Sequence, residues 1–298
     1  MRVLLTGAAG QLGRHLRALV PEDVQLITSA RRSGDRPCDL LDQRDLLGML
    51  DALRPDAIIN AAAWTAVDGA EDEPELALRL NRDVPACLAA WCSDHDSVLL
   101  TYSTDYVFSG RPGRAWHEDD PTAPDSVYGH SKLSGELAVA ETGVRALLVR
   151  TAWVYSALPG NFLSAILGRA GKGEDLRVVA DQVGSPTWAG ELARASWHLL
   201  GHCASELQRT ERVHIAGRGA MSWHEFASLA VEQAVVAGVL KKAVNVVPIA
   251  SADWPQKARR PAWSVLDCTR YEQWTGDELM DIEQALDRCL AQWAQPPC

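Results

Sequence analysis

The chain reads as an α/β protein: a Rossmann-like doubly wound parallel sheet followed by a smaller, mostly helical C-terminal substrate domain. Three observations lead there. A glycine turn joins the first apolar run to the first helical pattern, short apolar runs alternate with helical stretches to about residue 150, and the alternation loosens beyond that point. At 298 residues the chain has room for one large or two ordinary domains. The expected division is a dinucleotide-binding domain over 1–150 and a substrate domain over 151–298, with some later segments free to return to the first.

Arg2-Val3-Leu4-Leu5-Thr6 is a run of the kind buried on both faces of a parallel sheet. It leads into Gly7-Ala8-Ala9-Gly10-Gln11-Leu12-Gly13 and a helical pattern through Leu16 and Leu19. Glycines let the backbone approach a pyrophosphate, and the helix N-terminus offers it free N–H groups, so Gly7, Gly10 and Gly13 are cofactor candidates. The second run, 24–28, ends at Ser29-Ala30-Arg31-Arg32. An NAD site carries an acid here for the ribose 2′-hydroxyl, whereas a 2′-phosphate calls for a guanidinium. No acid is present, so Arg31 and Arg32 either meet the phosphate of NADPH or form a solvated basic turn; NADH stays open as the alternative cofactor. Cys38-Asp39-Leu40 follows a short third segment and can edge the adenine. Residues 57–63 form another buried strand whose small end, Ala61-Ala62-Ala63, leaves room for a ring against the backbone.

The acidic run 71–75 opens a solvated helix, where negative charge suits the dipole. Asn81, further along, either braces the active site or is merely structural. A fifth strand at 98–102 precedes a loop over 109–126 that carries the turn signal Gly110-Arg111-Pro112-Gly113. A sixth strand follows at 144–150. Ligands of such sheets gather beyond the carboxyl ends of the strands, where Gly7, Ala63, Thr104 and Thr151-Ala152-Trp153 fall. Past 151, residues 181–187 read as a loop, and helices are expected at 189–203, 222–237 and 281–294.

The chemistry centres on Tyr128-Gly129-His130-Ser131-Lys132. A Tyr and a Lys four apart on a helix share one face. An ammonium beside a phenol favours the phenolate and eases proton exchange with a carbonyl or alcohol oxygen. The Thr104 hydroxyl, at a strand end, could donate to the same oxygen while a hydride reaches carbon. Taken alone, Tyr-x-x-x-Lys also describes an ordinary half-exposed helix pair. Its weight comes from the glycine turn and from Thr104.

Composition limits the partners. Lys and Arg number 29 against 39 Asp and Glu, a net charge of −10, which speaks against bulk binding to nucleic acid or to an anionic membrane. Seven cysteines include no C-x-x-C pair and read as reduced thiols, and no zinc-ligand spacing is present, so no metal is expected. The first strand begins without a cleavable apolar leader, and no apolar run approaches a membrane span. A cytoplasmic enzyme is expected.

Taken together, Gly7-x-x-Gly10-x-x-Gly13, Ser103-Thr104-Asp105-Tyr106-Val107-Phe108, Tyr128-x-x-x-Lys132, Arg150-Thr151-x-Trp153-Val154-Tyr155 and Asp181-Gln182-x-Gly184-x-Pro186-Thr187 resemble the extended short-chain dehydrogenases. Within that group they are similar to the dTDP-4-dehydrorhamnose reductase family, with Asn60 to Asp68 among the more specific stretches. The resemblance covers nearly the whole chain. It implies a nucleotide-sugar substrate reduced at C4 by hydride from NADPH, with Tyr128 as proton donor, Lys132 tuning it and holding the nicotinamide ribose, and Thr104 binding the oxygen. It also places Thr104, Asp105 and Trp153 against the sugar, and Gly10, Gln11, Leu12, Asp39, Leu40, Ala61, Ala62, Ala63 and Thr65 along the cofactor. The family often carries an acid near position 30, where this chain has Ala30-Arg31, which weakens any NADH preference. Arg259-Arg260 either holds the diphosphate or is a surface charge pair. Family members are often homodimers. Two rivals stay open: another nucleotide-sugar 4-ketoreductase or epimerase, and a regulatory subunit of methionine adenosyltransferase type. Nucleotide-sugar 4,6-dehydratases place Asp-Glu directly after the active-site Thr; here Asp105 is followed by Tyr106, so elimination is not expected.

Overall fold

Residues 1–111 and 113–293 are described by a computed structural model; Pro112 of the expected turn, position 294 of the last expected helix and Cys298 lie outside the described residues. β1 (Arg2–Thr6) runs into α1 (Gln11–Ala18), then β2 (Gln25–Ala30) and β3 (Ser33–Gly34). β2 extends two residues beyond the expected end and turns back on β3, an antiparallel hairpin where a third segment was expected. Asp35 holds this hairpin by accepting from the Thr28 N–H and hydroxyl, each at 2.9 Å. Next come α2 (Gln43–Leu53), capped by Asp42, and β4 (Ala57–Asn60). α3 (Val67–Asp72), α4 (Pro74–Leu78), a π-helical turn over Arg79–Asp83 and α5 (Val84–Asp94) lead to β5 (Val98–Thr104).

α6 (Val127–Glu141) starts at Ser126, whose hydroxyl accepts from the Gly129 N–H, and β6 (Ala146–Thr151) follows. The second half adds β7 (Val154–Tyr155), α7 (Phe162–Ala170), β8 (Leu176–Val179), β9 (Val183–Gly184), β10 (Thr187–Trp188) and α8 (Ala189–Cys203). It ends with β11 (Thr210–His214), β12 (Met221–Ser222), α9 (Trp223–Val236), β13 (Val246–Ile249), α10 (Thr269–Thr275) and α11 (Ile282–Trp293). The stretch expected to be a loop at 181–187 thus carries β9 and the start of β10.

The main sheet has the order β11-β6-β5-β4-β1-β2-β3, parallel except at β3. Its central strands β1, β4, β5 and β6 are buried on both faces, and alternate residues feed two apolar layers. Leu4, Ile58, Leu99 and Leu148 pack with α2 and α5. Val3, Leu5, Ile59, Leu100 and Val149 pack with Leu16 of α1 and with Leu192, Leu199 and Leu200 of α8. From beyond residue 151, β11 therefore comes back to pair with β6 at the edge of this sheet and α8 to cover one of its faces. A separate core gathers Tyr155, Leu163, Phe226, Val231 and Leu286 from α7, α9, α11 and the strands around them. Three two-stranded ribbons, β7 with β10, β9 with β12 and β8 with β13, lace this smaller part together. Among the described residues no helix is long and apolar enough to cross a membrane.

One buried ion pair ties the middle of the sheet to α6. Arg150 of β6 meets Glu136 of α6 through both carboxylate oxygens, at 2.9 and 2.6 Å, with side chains 2% and 1% exposed. Ser103 of β5 donates to the same carboxylate at 2.5 Å, and the Arg150 guanidinium also reaches the Glu118 carbonyl. Removing one partner leaves an uncompensated buried charge, so Glu136→Ala should lose about 3–5 kcal/mol of unfolding free energy. The double variant Glu136→Leu/Arg150→Met should lose less than that single one. Urea denaturation of both variants is the check.

Candidate active site

The strand order reverses between β1 and β4, and a cleft of about 240 Å³ opens there. Gly7 sits at φ +70, and a Cβ on it would lie 2.6 Å from the Ala61 carbonyl carbon; a Cβ on Gly13 would lie 2.2 Å from the Gly7 oxygen. The turn is thus pressed against the end of β4 on one side and against its own helix on the other. Gly10 precedes α1, whose first turn has no side-chain cap and no acidic residue, so its N–H groups are left for an anion. Ala61, Ala62 and Ala63 form one wall, Asp39 and Leu40 the far edge. These residues fit a dinucleotide: small side chains where backbone must approach a ring, uncapped donors where a diphosphate lies.

Arg31 lines the same cleft, 62% exposed and 3.8 Å from Asp39. Arg32 is exposed and is not part of the lining, nor is Thr65. Two other expected cofactor residues have different neighbours. Leu12 packs on the apolar layer under α1 and α8. The Gln11 side-chain oxygen Oε1 accepts from the Ser156 hydroxyl at 2.7 Å and from Asn161 Nδ2 at 2.9 Å, bolting the glycine turn to the start of α7.

Thr104 ends β5, and its register partner on β6 is Thr151. Its hydroxyl donates to Asp105 Oδ1 at 3.0 Å and accepts from the Tyr106 N–H at 3.2 Å. Tyr128, in the first turn of α6, is 8% exposed, with Tyr106 edge-on at 5.5 Å. Burial pushes the Tyr128 phenol up to about 12, with the Asp105 charge adding to the rise and the Thr104 hydroxyl opposing it. Lys132 is 6% exposed and donates to the Tyr102 carbonyl at 2.5 Å. Burial pulls its ammonium down to about 8, against the opposing field of Glu136. The lysine is turned to the β5 backbone, and burial is the largest influence on the phenol.

Asn81 lies in the π-helical turn, 1% exposed. Its amide accepts from the Trp64 N–H and donates to the Trp64 carbonyl and the Ser131 hydroxyl, all within 3.0 Å, and Ser131 in turn donates to the Tyr128 carbonyl. It links the end of β4 to the helix bearing the phenol. Arg260 pairs with Asp68 at 2.8 Å, beside Tyr106, and Arg259 sits 78% exposed near Asp125. Trp153 follows β6 at φ +48. Glu136 was missed from sequence, although its i+4 spacing from Lys132 on a helix facing the sheet was a usable signal. Ser264 was missed as well: it is wholly buried next to Asp105 and carries no sequence signal.

The family model described as RmlD substrate binding domain matches residues 1–295. Relatives include the dTDP-4-dehydrorhamnose reductase of Burkholderia thailandensis, 39% identical over 97% of this chain and 98% of its own length. That of Escherichia coli K12 is 37% identical over 97% of each. Among solved structures, the dTDP-4-dehydrorhamnose reductase of Clostridium acetobutylicum superposes with a TM-score of 0.89 at 30% identity, covering 99% of this chain and 100% of that one. The Bacillus anthracis protein of the same name, in complex with NADP, gives 0.89 at 29% identity over 98% and 99%. A dTDP-glucose 4,6-dehydratase from Streptomyces venezuelae, 20% identical, shares the fold with a TM-score of 0.80.

Asp105 generates a pH test. Burial raises its carboxyl from 3.8 to about 6, the Ser264 and Thr104 hydroxyls opposing. A raised carboxyl favours the folded state while it is protonated, and that contribution is lost as pH rises from about 4 through 6. Asp105→Asn mimics the neutral form, so its stability relative to the wild type should improve by roughly 2 to 3 kcal/mol between pH 4 and pH 8. Paired denaturation curves across that range measure the change.

Proposed function

The chain belongs to the RmlD substrate-binding-domain family, and on that footing we propose that it reduces dTDP-4-dehydro-L-rhamnose to dTDP-L-rhamnose with NADPH. The observation that carries this reading is that an uncapped glycine turn after β1 and the Thr104 hydroxyl ending β5 lie at the same carboxyl edge of the parallel sheet, with the buried Tyr128 phenol in the first turn of the following helix. Bound NADPH would supply the hydride that reaches C4. Gly7, Gly10 and the α1 N-terminus receive its diphosphate, Ala61 to Ala63 its flat rings, and Arg31 the 2′-phosphate, with NADH as the weaker alternative.

Tyr128 gives its proton to the C4 oxygen. A phenol held near 12 stays protonated at neutral pH, which suits a donor that must release its proton only as negative charge gathers on the ketone oxygen. Thr104 has a single proton, committed to Asp105 in this structure, so binding the sugar oxygen requires that hydroxyl to rotate away from the carboxylate. Lys132 spends one of its three protons on Tyr102 and keeps two for the ribose hydroxyls. Trp153 and Asp105 face the sugar, and Arg260, steered by Asp68, the diphosphate. The core around Tyr155 and Phe226 forms the substrate-covering domain, while residues 189–215 belong with the cofactor domain. The activity is placed in the cytoplasm, with a homodimer as the assembly to test.

At the position after Asp105, where a 4,6-dehydratase carries Glu, Tyr106 offers no base for the C5 proton. The protein should therefore oxidise one NADPH per dTDP-4-dehydro-L-rhamnose reduced, followed by absorbance and product NMR, and form no 4-keto-6-deoxy sugar from dTDP-glucose. Finding that sugar would overturn the reading. Tyr128→Phe keeps the ring and removes the proton, so kcat should drop about 10²- to 10⁴-fold with NADPH affinity little changed.

A further inference from the structure

The stretch 181–187, prominent in the sequence, takes no part in the chemistry above. Its Val183 and Gly184 form β9, which pairs with β12 so that Gly184 lies opposite Met221 and Val183 opposite Ser222. Ser222 then caps α9 through a reciprocal pair of hydrogen bonds with Glu225, and the next residue, Trp223, is the first of that helix. Trp153 touches both Gly184 and Trp223. A Cβ on Gly184 would come 2.5 Å from its indole. The Trp153 and Trp223 rings lie face to face, 3.5 Å apart and 3° from parallel, and Phe162 backs Trp223 at 4.4 Å. The Trp153 carbonyl accepts from the Thr187 N–H.

Trp153 needs holding. Its φ of +48 is a left-handed conformation that bulky side chains rarely adopt, and such outliers persist only where the surroundings over-determine them. It stands two residues beyond Thr151, the register partner of Thr104. We propose that Trp223 and Gly184 are positioning residues for the sugar nucleotide: one indole face and one missing Cβ fix the plane of Trp153 at the site. This rests on the reading above in assigning Trp153 to the sugar. It explains why position 184 has no side chain and why a residue of the smaller core reaches the end of β6.

The test compares Trp223→Leu, which keeps apolar volume but no planar face, with Trp223→Phe, which keeps a planar face. In Trp223→Leu, KM for dTDP-4-dehydro-L-rhamnose should rise about tenfold with kcat within about threefold and NADPH affinity within about twofold, while Trp223→Phe stays within about threefold of the wild type throughout. Gly184→Ala should resemble Trp223→Leu. The far-ultraviolet circular dichroism couplet of the stacked indoles should be present in the wild type and absent from both Trp223 variants. Equal KM values in the Leu and Phe variants, NADPH affinity falling in step with KM, or no couplet in the wild type would each overturn the proposal. If the wild type shows the couplet and binds dTDP-L-rhamnose about tenfold more tightly than Trp223→Leu, yet reduces no 4-keto sugar, the positioning stands and the reaction assigned above falls.

Discussion

The bidentate pair between Arg150 and Glu136 is the constraint on which the site depends. It spans β6 and α6, and Ser103 of β5 joins it through a third hydrogen bond, so two neighbouring strands and the helix above them share one buried charge network. Thr104 follows Ser103 directly, and Lys132 and Tyr128 lie one and two helical turns before Glu136. A shift of α6 along the sheet would break two charge-assisted bonds between side chains that are 2% and 1% exposed. The register between the phenol and the strand-end hydroxyl is set by electrostatics behind the site rather than within it.

In front of that network, burial governs the chemistry. Tyr128 is raised, Lys132 lowered and Asp105 raised, each chiefly by desolvation. All three move towards their neutral forms, as a poorly solvated pocket requires. A pocket of this kind keeps a proton on the phenol and keeps the carboxylate beside Thr104 at the edge of ionisation. The lysine of the Tyr-x-x-x-Lys pair donates to a carbonyl of the adjacent strand.

The two cores are joined by side chains rather than by a linker. Gln11 reaches from the glycine turn to Ser156 and Asn161, and the segment after residue 256 is held to α3 through Lys257 with Asp72 and Arg260 with Asp68. Gln11 adjoins Gly10, so these bonds tie the start of α7 to the glycine turn that edges the cleft. Asn81 makes the corresponding bond on the other flank, between the end of β4 and α6.

Local pattern alone determined the parallel sheet, the glycine turn and the helices expected at 189–203, 222–237 and 281–294, of which the last two run over 223–236 and 282–293 in the structure, because apolar period and glycine placement act over a few residues and leave their mark in the order of the chain. It also singled out Thr104, Tyr128 and Lys132, whose spacing is itself the signal. Only the tertiary structure decided that α8 and β11 return to the first sheet, since a strand carries no mark of which neighbour it will pair with. Likewise it decided that Arg31 rather than Arg32 lines the cleft, that Lys132 faces Tyr102, and that Trp153, Gly184 and Trp223 meet. Those outcomes depend on burial and on contacts between residues far apart in the chain, and desolvation, which sets the proton affinities of the site, exists only once the chain has closed around it.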